Sequence, residues 1–366
     1  MARLALLPVH HVVLWPPADA DVTVLRRWLT DMRAHNHLLH AIEVASPVLA
    51  ERVDAVVSGR CTGERQVKRT VSSVMRYTAR AAGRATPFGM FAGITPVDFG
   101  GTASAWLGDA HRVVARADAA WLFDVVAACE SDWEVLSRLW VRRHDQSFVR
   151  DDRLVLPNPS RHDVAAKRCE VSVRLSLLIE STLVAAADAV ACGVLADKLA
   201  AEHPGTARAL ITDVLRVLVS HGFLTTNLQP ASTSPDRLDH VLRVLTESGA
   251  ADVGVGATTA QQLHHIAAGL VEHNQSRDRQ HERAIRAVTA SAMKTLSASS
   301  ATPLAVDTRA DARIQLPAAV TGEAAQAGRI LHRLAVGTPM TRAWSDYYFR
   351  FCDRFGTGSI VPVHEV

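Results

Sequence analysis

Arg65, Arg69, Arg76, Arg80 and Arg84 recur at helical intervals within the run ERQVKRTVSSVMRYTARAAGRATPFGMFAG. At about 100° per residue they lie within roughly 100° of arc on one helix face. Val67, Val71, Val74 and Ala81 fall on the opposite side. The helix should therefore bury one stripe and present a guanidinium ladder on the other. An ordinary solvated face has the same periodicity, but this one is nearly all arginine, with Glu64 as counter-charge. It also runs straight into Ala85-Thr86-Pro87-Phe88-Gly89, a turn that would fix a hydroxyl and backbone N–H groups beside the ladder's end. Guanidinium forks suit phosphate and carboxylate oxygens, and such a ladder can follow a phosphate backbone with release of its counterions.

Other chemistry is sparse. His35, His37 and His40 form one histidine-rich stretch and His264, His265 and His273 another, but neither has an HExxH spacing or a cysteine partner. Solvated or capping imidazoles are the expectation, and no metal site. Cys61, Cys129, Cys169, Cys192 and Cys352 are scattered without a C-x-x-C pair. That argues for a reducing compartment, the cytoplasm by default, with Cys129 and Cys192 as small core residues. No G-x-x-x-x-G-K-[ST] loop is present, so nucleotide hydrolysis is not expected. Only four of the 40 basic residues are lysine, and with 37 acidic residues the net charge is +3, so where the arginines lie matters more than their sum. A chain of 366 residues, 48% hydrophobic and 21% charged, has material for a sizeable core and for at least two domains. Disordered, collagenous and disulfide-scaffold classes are excluded. No window approaches the ~18 continuous apolar residues of a membrane span.

The elements that must position the ladder are of both kinds. Residues 22–34, 47–58 and 64–84 have helical apolar spacing. The opening MARLALLPVHHVVLWPPADA reads as a buried strand, since Pro8, His10, His11 and Pro16-Pro17 interrupt any signal-peptide core. Residues 102–107 and 113–117 flank Gly108-Asp109 as a strand pair, and Asp118 then stands where an N-cap would start a helix over 119–129. Residues 147–156, alternating around Asp151-Asp152, and 170–175 read as strands. Helices are predicted over 176–190, 194–201 and 206–220, the last closing on His221-Gly222. Strands with three closely spaced helices describe a winged helix-turn-helix. Residues 230–235 read as a linker, 236–300 as helical, 304–307 as a short strand, and 326–335 and 342–354 as helices. The expected fold class is α+β. A mixed helix/strand part spans 1–134, an inserted winged helix-turn-helix 135–229, and a helical continuation 230–366.

Several motifs together resemble one family. R-Y-x-x-R-x-x-x-R-x-T-P-F-G-x-F-A-G, from Arg76 to Gly93, resembles the hallmark of the N-terminal, glutamyl-transferring region of the lantibiotic dehydratases. Arg3-Leu-Ala-Leu-Leu-Pro8 is similar to that family's opening R-x-P-x-L-P, with Ala5 in place of proline. AIEVASPVL at 41–49 resembles E-A-x-x-x-A-S-P-x-L, and Arg116-Ala-Asp118 with Trp121-Leu122 resembles R-L-D-x-x-W-L. Residues 344–366 are similar to W-x-x-Y-x-x-x-F-x-x-x-Y-G-x-x-x-x-V-P, and the chain stops inside that motif, which reads as an N-terminal fragment.

The resemblance implies a transferase that takes glutamate from glutamyl-tRNA and esterifies Ser and Thr side chains of a ribosomally made precursor peptide. Elimination of glutamate then leaves dehydroalanine or dehydrobutyrine. By motif position, Arg80, Arg84, Thr86 and Asp118 are the implied catalytic residues. Arg80 and Arg84 would hold the acceptor end or the glutamyl carboxylate, Thr86 would orient through its hydroxyl, and Asp118 would meet the α-ammonium or take a proton. Simple helix capping is the alternative for Asp118. Arg3 and Asp307 are two further implied positions, grouped with Arg65, Arg69 and Arg76 for tRNA or glutamyl binding. For the winged helix, nucleic-acid binding is disfavoured because the third helix is mostly apolar with few, mixed charges. The resemblance implies leader-peptide recognition instead, along Glu170, Val171, Ser172, Val173 and Arg174 and against Ile211 and Leu215; a winged helix that merely packs stays open. No cofactor is implied beyond glutamyl-tRNA as co-substrate. Expected partners are glutamyl-tRNA, the precursor peptide with its leader, a separate elimination-domain protein in the split arrangement, and a second copy of the chain. Rival readings are an aminoacyl-tRNA-dependent peptide ligase and a non-enzymatic binding module.

Overall fold

A computed structural model describes residues 1–7, 15–33, 36–157, 170–298, 302–335, 342–357 and 359–362. The expectations for His10, His11, His35, Cys169 and the last four residues lie outside the described residues. The chain opens with strand β1 (Ala2–Ala5) and helices α1 (Val22–Met32), α2 (Asn36–Ala45), α3 (Pro47–Val57) and α4 (Glu64–Gly83). Asp21 caps α1 and Ser46 caps α3, where Pro47 takes the first helical position and its missing N–H costs nothing. The predicted amphipathic helix is α4: Val67, Val71, Val74 and Ala81 are buried against α1 to α3 with Met90 and Phe91. Thr70 and Thr78 lie on the same buried face, because each hydroxyl donates to the carbonyl four residues back, at 2.9 and 3.0 Å.

Next come β2 (Ala92–Thr95), β3 (Asp98–Gly100), β4 (Ser104–Leu107), β5 (Arg112–Ala117), α5 (Ala119–Ser131) and α6 (Trp133–Leu136). The following stretch holds β6 (Trp140–Arg143), β7 (Phe148–Arg150), β8 (Arg153–Pro157), β9 (Glu170–Arg174), α7 (Leu177–Ala185), β10 (Val190–Ala191), α8 (Cys192–Glu202), α9 (Arg208–Ser220) and β11 (Leu224–Thr226). Helices α10 (Arg237–Glu247), α11 (Gly254–Gln275) and α12 (Arg279–Leu296) precede β12 (Leu304–Arg309), β13 (Ala312–Pro317), α13 (Ala318–Ala335) and α14 (Arg342–Phe355). Helices with several small sheets make the chain α+β. A second core, centred on Trp121, Leu136, Phe223 and Leu263, draws on α5 to α12. Cys129 and Cys192 belong to it, and burial pushes their thiols up to about 11 and about 12. Among the described residues no helix is long and apolar enough to cross a membrane.

Three expectations need correction. The strands either side of Gly108-Asp109 do not pair with each other: β4 pairs with β13 and β5 with β12, in different sheets. Gly108 lacks the positive φ of a tight hairpin turn. It is glycine for another reason, since a Cβ there would meet Asp311 Oδ2 at 2.2 Å and Trp106 Cη2 at 2.5 Å. Residues 147–156 form a hairpin instead of one strand, with Asp151 at φ 57 in its two-residue turn. The helix predicted over 176–190 ends at Ala185, and Val190–Ala191 pairs with β6. Helix α2 and strand β13 had no counterpart in the periodicity, and α13 begins well before its predicted start.

The corner at Asp311 makes the fold acid-sensitive. Its backbone N–H donates to His111 Nδ1 at 3.0 Å, which requires a neutral imidazole, and burial holds that imidazole below its ordinary 6.5. Burial also lowers His273. The unfolded chain therefore binds protons that the folded chain refuses. The stabilisation is complete above about pH 6.5 and is lost as pH falls below it. Denaturant midpoints should be level between about pH 8 and 7 and decline below about 6.5; His111→Gln should flatten that decline.

Candidate functional site

The four-stranded sheet has the order β1-β2-β12-β5 and two unlike faces. Paired residues share a face and neighbours in a strand alternate. Val113 and Val306 pack against the core under α4, and Ala115 and Leu304 reach the second core. The other face carries Arg3 opposite Ile94, Ile94 opposite Arg309, and Arg309 opposite Arg112, with Asp307 beside them. Arg116 closes this row, its Nε 2.7 Å from Asp307 Oδ2. The structure thus joins Arg3, Arg116 and Asp307, three positions picked out by motif, on one sheet face.

The ladder lies elsewhere. Arg65, Arg69 and Arg76 are exposed on α4, and Arg84 is the residue at which the helix turns extended. Among the described residues none of the five ladder arginines has a carboxylate within ion-pair distance; Glu64 is engaged by Lys68 at 2.6 Å. Arg80 differs from its neighbours in being half-buried. Its guanidinium lies 4.7 Å over the Phe88 ring, one terminal nitrogen points to the Thr86 carbonyl at 3.5 Å, and its Nε is buried with no acceptor among the described residues. Phe88 stacks on Phe91 and Phe91 on Tyr77, at 6.0 and 5.1 Å between ring centres, so an aromatic row holds the turn against α4. Ser73, Arg76, Tyr77, Arg80, Gly83 and Arg84 line an open groove of about 700 Å³. The ladder is met by the Thr86 carbonyl, and the residue is exposed.

The end of the ladder is tied to the sheet through its core side, where Thr308 Oγ1 donates to the Gly89 carbonyl at 3.1 Å. Asp307, one residue earlier, faces the opposite way. Asp118 is separate again. It sits beyond the last residue of β5, about 17 Å along the strand from Val113. There its Oδ1 accepts from the Ala120 and Trp121 amides at 2.9 and 3.4 Å as the N-cap of α5. Its capping function is thus plain in the geometry, and its second oxygen is left open among the described residues. Asp118→Asn keeps a capping oxygen and removes the charge, whereas Asp118→Ala loses the cap at about 1 kcal/mol. The Asn protein is expected to melt like the parent and the Ala protein to melt lower; thermal melts check this.

The peptide-facing expectations divide. Strand β9 is the outer strand of the β7-β8-β9 sheet, so its far edge has no partner strand among the described residues. Glu170 and Arg174 pair with Arg150 and Asp152, and Ser172 Oγ accepts from Arg153 at 2.9 Å, while Val171 and Val173 pack on the core. Ile211 and Leu215, in contrast, are 0% exposed. They cannot meet a peptide, because they face the core beneath α9. The apolar side chains that α9 turns outward are Leu210 and Val217, 54% and 44% exposed. Sequence reasoning also passed over Arg112, Arg309, Arg313 and Trp106. The alternation of Asp307 with Arg309 was the available signal.

Comparisons with known proteins accord with this architecture. The chain matches the family described as lantibiotic dehydratase, N terminus, over residues 34–366. Its structure is similar to that of MibB, a tRNA-dependent lantibiotic dehydratase from Microbispora sp. 107891, with a TM-score of 0.73 and 29% identity, over 100% of this chain and 34% of that one. It shares a fold with the glutamylation domain of TbtB from thiomuracin biosynthesis, at TM-score 0.52 and 19% identity over 80% of this chain and 34% of that one. The same domain bound to 5′-phosphodesmethylglutamycin gives 0.52 and 18%. The chain spans about a third of the length of these solved structures. No curated protein matches it. With nearly the whole sequence matched, this chain belongs to the lantibiotic dehydratase family, in the region that forms the family's N terminus.

Proposed function

We propose that this chain carries the glutamylation half of dehydration: glutamate passes from glutamyl-tRNA to Ser and Thr hydroxyls of a precursor peptide, and later elimination yields the dehydroamino acid. The observation that carries this reading is the arginine ladder, free of carboxylate partners among the described residues, with Arg80 half-buried on Phe88 near its end. Five guanidiniums spread over an α-helix whose arginines from 65 to 80 span about 22 Å suit a polyanion rather than a small metabolite. Arg80 suits a single carboxylate or phosphate, because a guanidinium fixed by an aromatic ring loses little freedom on binding.

The reaction needs no external energy source. The peptide hydroxyl oxygen bonds to the glutamyl carbonyl carbon, the bond to the ribose oxygen breaks, and the hydroxyl proton ends on that ribose oxygen. One ester replaces another. The protein's contribution is to align the two ends and to hold the developing negative charge. Arg80 and Arg84 are assigned to the acceptor end or the glutamyl carboxylate, and the open oxygen of Asp118 to the α-ammonium. Arg116 and Asp307 neutralise each other on the sheet face, and Arg3 and Arg309 beside them have no carboxylate within ion-pair distance among the described residues.

The precursor's leader is assigned to the free edge of β9, adding a strand to β7-β8-β9, in the manner of a winged-helix recognition element. Leu210 and Val217, and not the buried Ile211 and Leu215, are the apolar side chains α9 leaves exposed. Elimination is assigned to a separate domain or protein. Incubation of the protein with glutamyl-tRNA and a candidate precursor, followed by mass spectrometry, should show glutamyl additions located on Ser and Thr. A peptide that binds but gains no mass would leave recognition alone.

A further inference from the structure

The β3-β13-β4 sheet continues from the four-stranded one across the link between Arg309 and Ala312, and the two meet in an open groove of about 560 Å³. Arg112, Arg309 and Arg313 line it, with Asp98, Ser104 and Gln315. Register puts Trp106 opposite Arg313, and Ser104 and Asp98 opposite Gln315, so these side chains share one face. Trp106 is 52% exposed, its ring passes over Gly108, and the Arg313 guanidinium sits 5.6 Å from its centre. Arg112 is aimed by a 2.9 Å bond to the Asn274 carbonyl at the end of α11. Among the described residues Arg309 and Arg313 have no carboxylate within ion-pair distance. Asp311 also lines the groove, and its carboxylate is engaged by the Ala110 N–H at 3.2 Å.

An exposed indole with a stacked guanidinium, flanked by further arginines along a groove, is the combination that holds single-stranded nucleic acid. Bases stack on the ring, while the cations track the phosphates. A surface made only for electrostatics would not carry the tryptophan, and one made for an apolar peptide would not carry three arginines. The groove also leads somewhere. A second groove, lined by Ile94, Val114 and Asp307, shares Thr95, Pro96 and Arg309 with it. A strand lying past Trp106 and Arg309 would therefore run toward Asp307 and Arg3.

We infer that this groove binds the single-stranded 3′ end of the tRNA, with Trp106 and Arg313 as the stacking platform and Arg112 and Arg309 on its phosphates. The inference rests on the proposed use of glutamyl-tRNA and refines it. The exposed Arg65, Arg69 and Arg76 of α4 are then left for the double-stranded part of the same molecule.

The test is fluorescence anisotropy of the 366-residue chain with three probes: a labelled 12-nucleotide RNA ending in CCA, whole tRNA, and tRNA trimmed of its CCA end. Loss of one stacking side chain weakens single-strand binding about tenfold. Trp106→Ala should therefore weaken the 12-mer and whole tRNA by about that factor, and Trp106→Phe should restore most of it. Trimmed tRNA should bind the parent and Trp106→Ala alike. With about three phosphate contacts, the 12-mer's log affinity should fall against log salt with a slope near −2. If whole tRNA binds and Trp106→Ala binds every probe as the parent does, the groove inference is overturned and the glutamyl-tRNA reading stands. If no tRNA binds the parent chain, both fall. Circular dichroism on each variant separates a binding loss from misfolding.

Discussion

Arg80→Ala is expected to reduce kcat/KM for glutamyl transfer about a hundredfold or more, with a thermal melt close to that of the parent. The first half follows from where the guanidinium sits. It is half-buried and fixed over Phe88, so an anion bound at its terminal nitrogens would gain a charge-assisted hydrogen bond in a screened site. Such bonds contribute about 1.5–3 kcal/mol each, against a few tenths for exposed charges. The second half follows from what Arg80 does not hold: the ring contact is its main interaction, worth about 0.5–1 kcal/mol. Arg80→Lys should recover little, because an ammonium cannot replace the planar fork. Arg65→Ala, on the exposed first turn of α4, should lower tRNA affinity severalfold and shave the salt slope, while leaving the maximal rate alone. Single-turnover kinetics at saturating and subsaturating tRNA separate the two patterns.

Trp121→Ala should be the most damaging single change to stability, at about 3–5 kcal/mol. The side chain is 0% exposed and its Nε1–H donates to the Met293 carbonyl at 2.9 Å, which fastens α5 to α12 across the second core. Removal leaves a large cavity and a buried carbonyl without its donor. Against a typical total of about 5–15 kcal/mol, that fraction leaves the chain poorly folded at physiological temperature. Trp121→Phe keeps most of the volume and loses the hydrogen bond, so it should fall between. Denaturant midpoints at constant slope give both values. The effect bears on function through Asp118, whose capping contact is to the Trp121 amide itself.

Local periodicity was enough to place α4, its buried stripe and its arginine face, because a 20-residue amphipathic helix specifies its own boundaries. It could not say which strands pair. Residues 102–107 and 113–117 look like hairpin partners around Gly108-Asp109, yet the strands there each pair with one some 200 residues on. Missing β13 hid the groove altogether, for Arg313 means little until Trp106 stands beside it. Helix α9 shows a second limit. Ile211 and Leu215 were apolar and correctly placed on a helix, but Leu210 and Val217 are apolar too, and only packing distinguishes the buried face from the outward one. Asp118 was legible as both cap and motif aspartate, and the geometry confirms the cap.

The most direct test of glutamyl transfer follows the acyl group itself. Glutamyl-tRNA carrying radiolabelled glutamate is incubated with the protein and a candidate precursor, and the labelled peptide is then treated with hydroxylamine, which cleaves esters and spares amides. Label that moves to the peptide, is released by hydroxylamine and fails to appear with Arg80→Ala is the predicted result. Label that moves to the peptide but resists hydroxylamine would mark an amide, place the chain in peptide-ligase chemistry and contradict the ester transfer proposed for it.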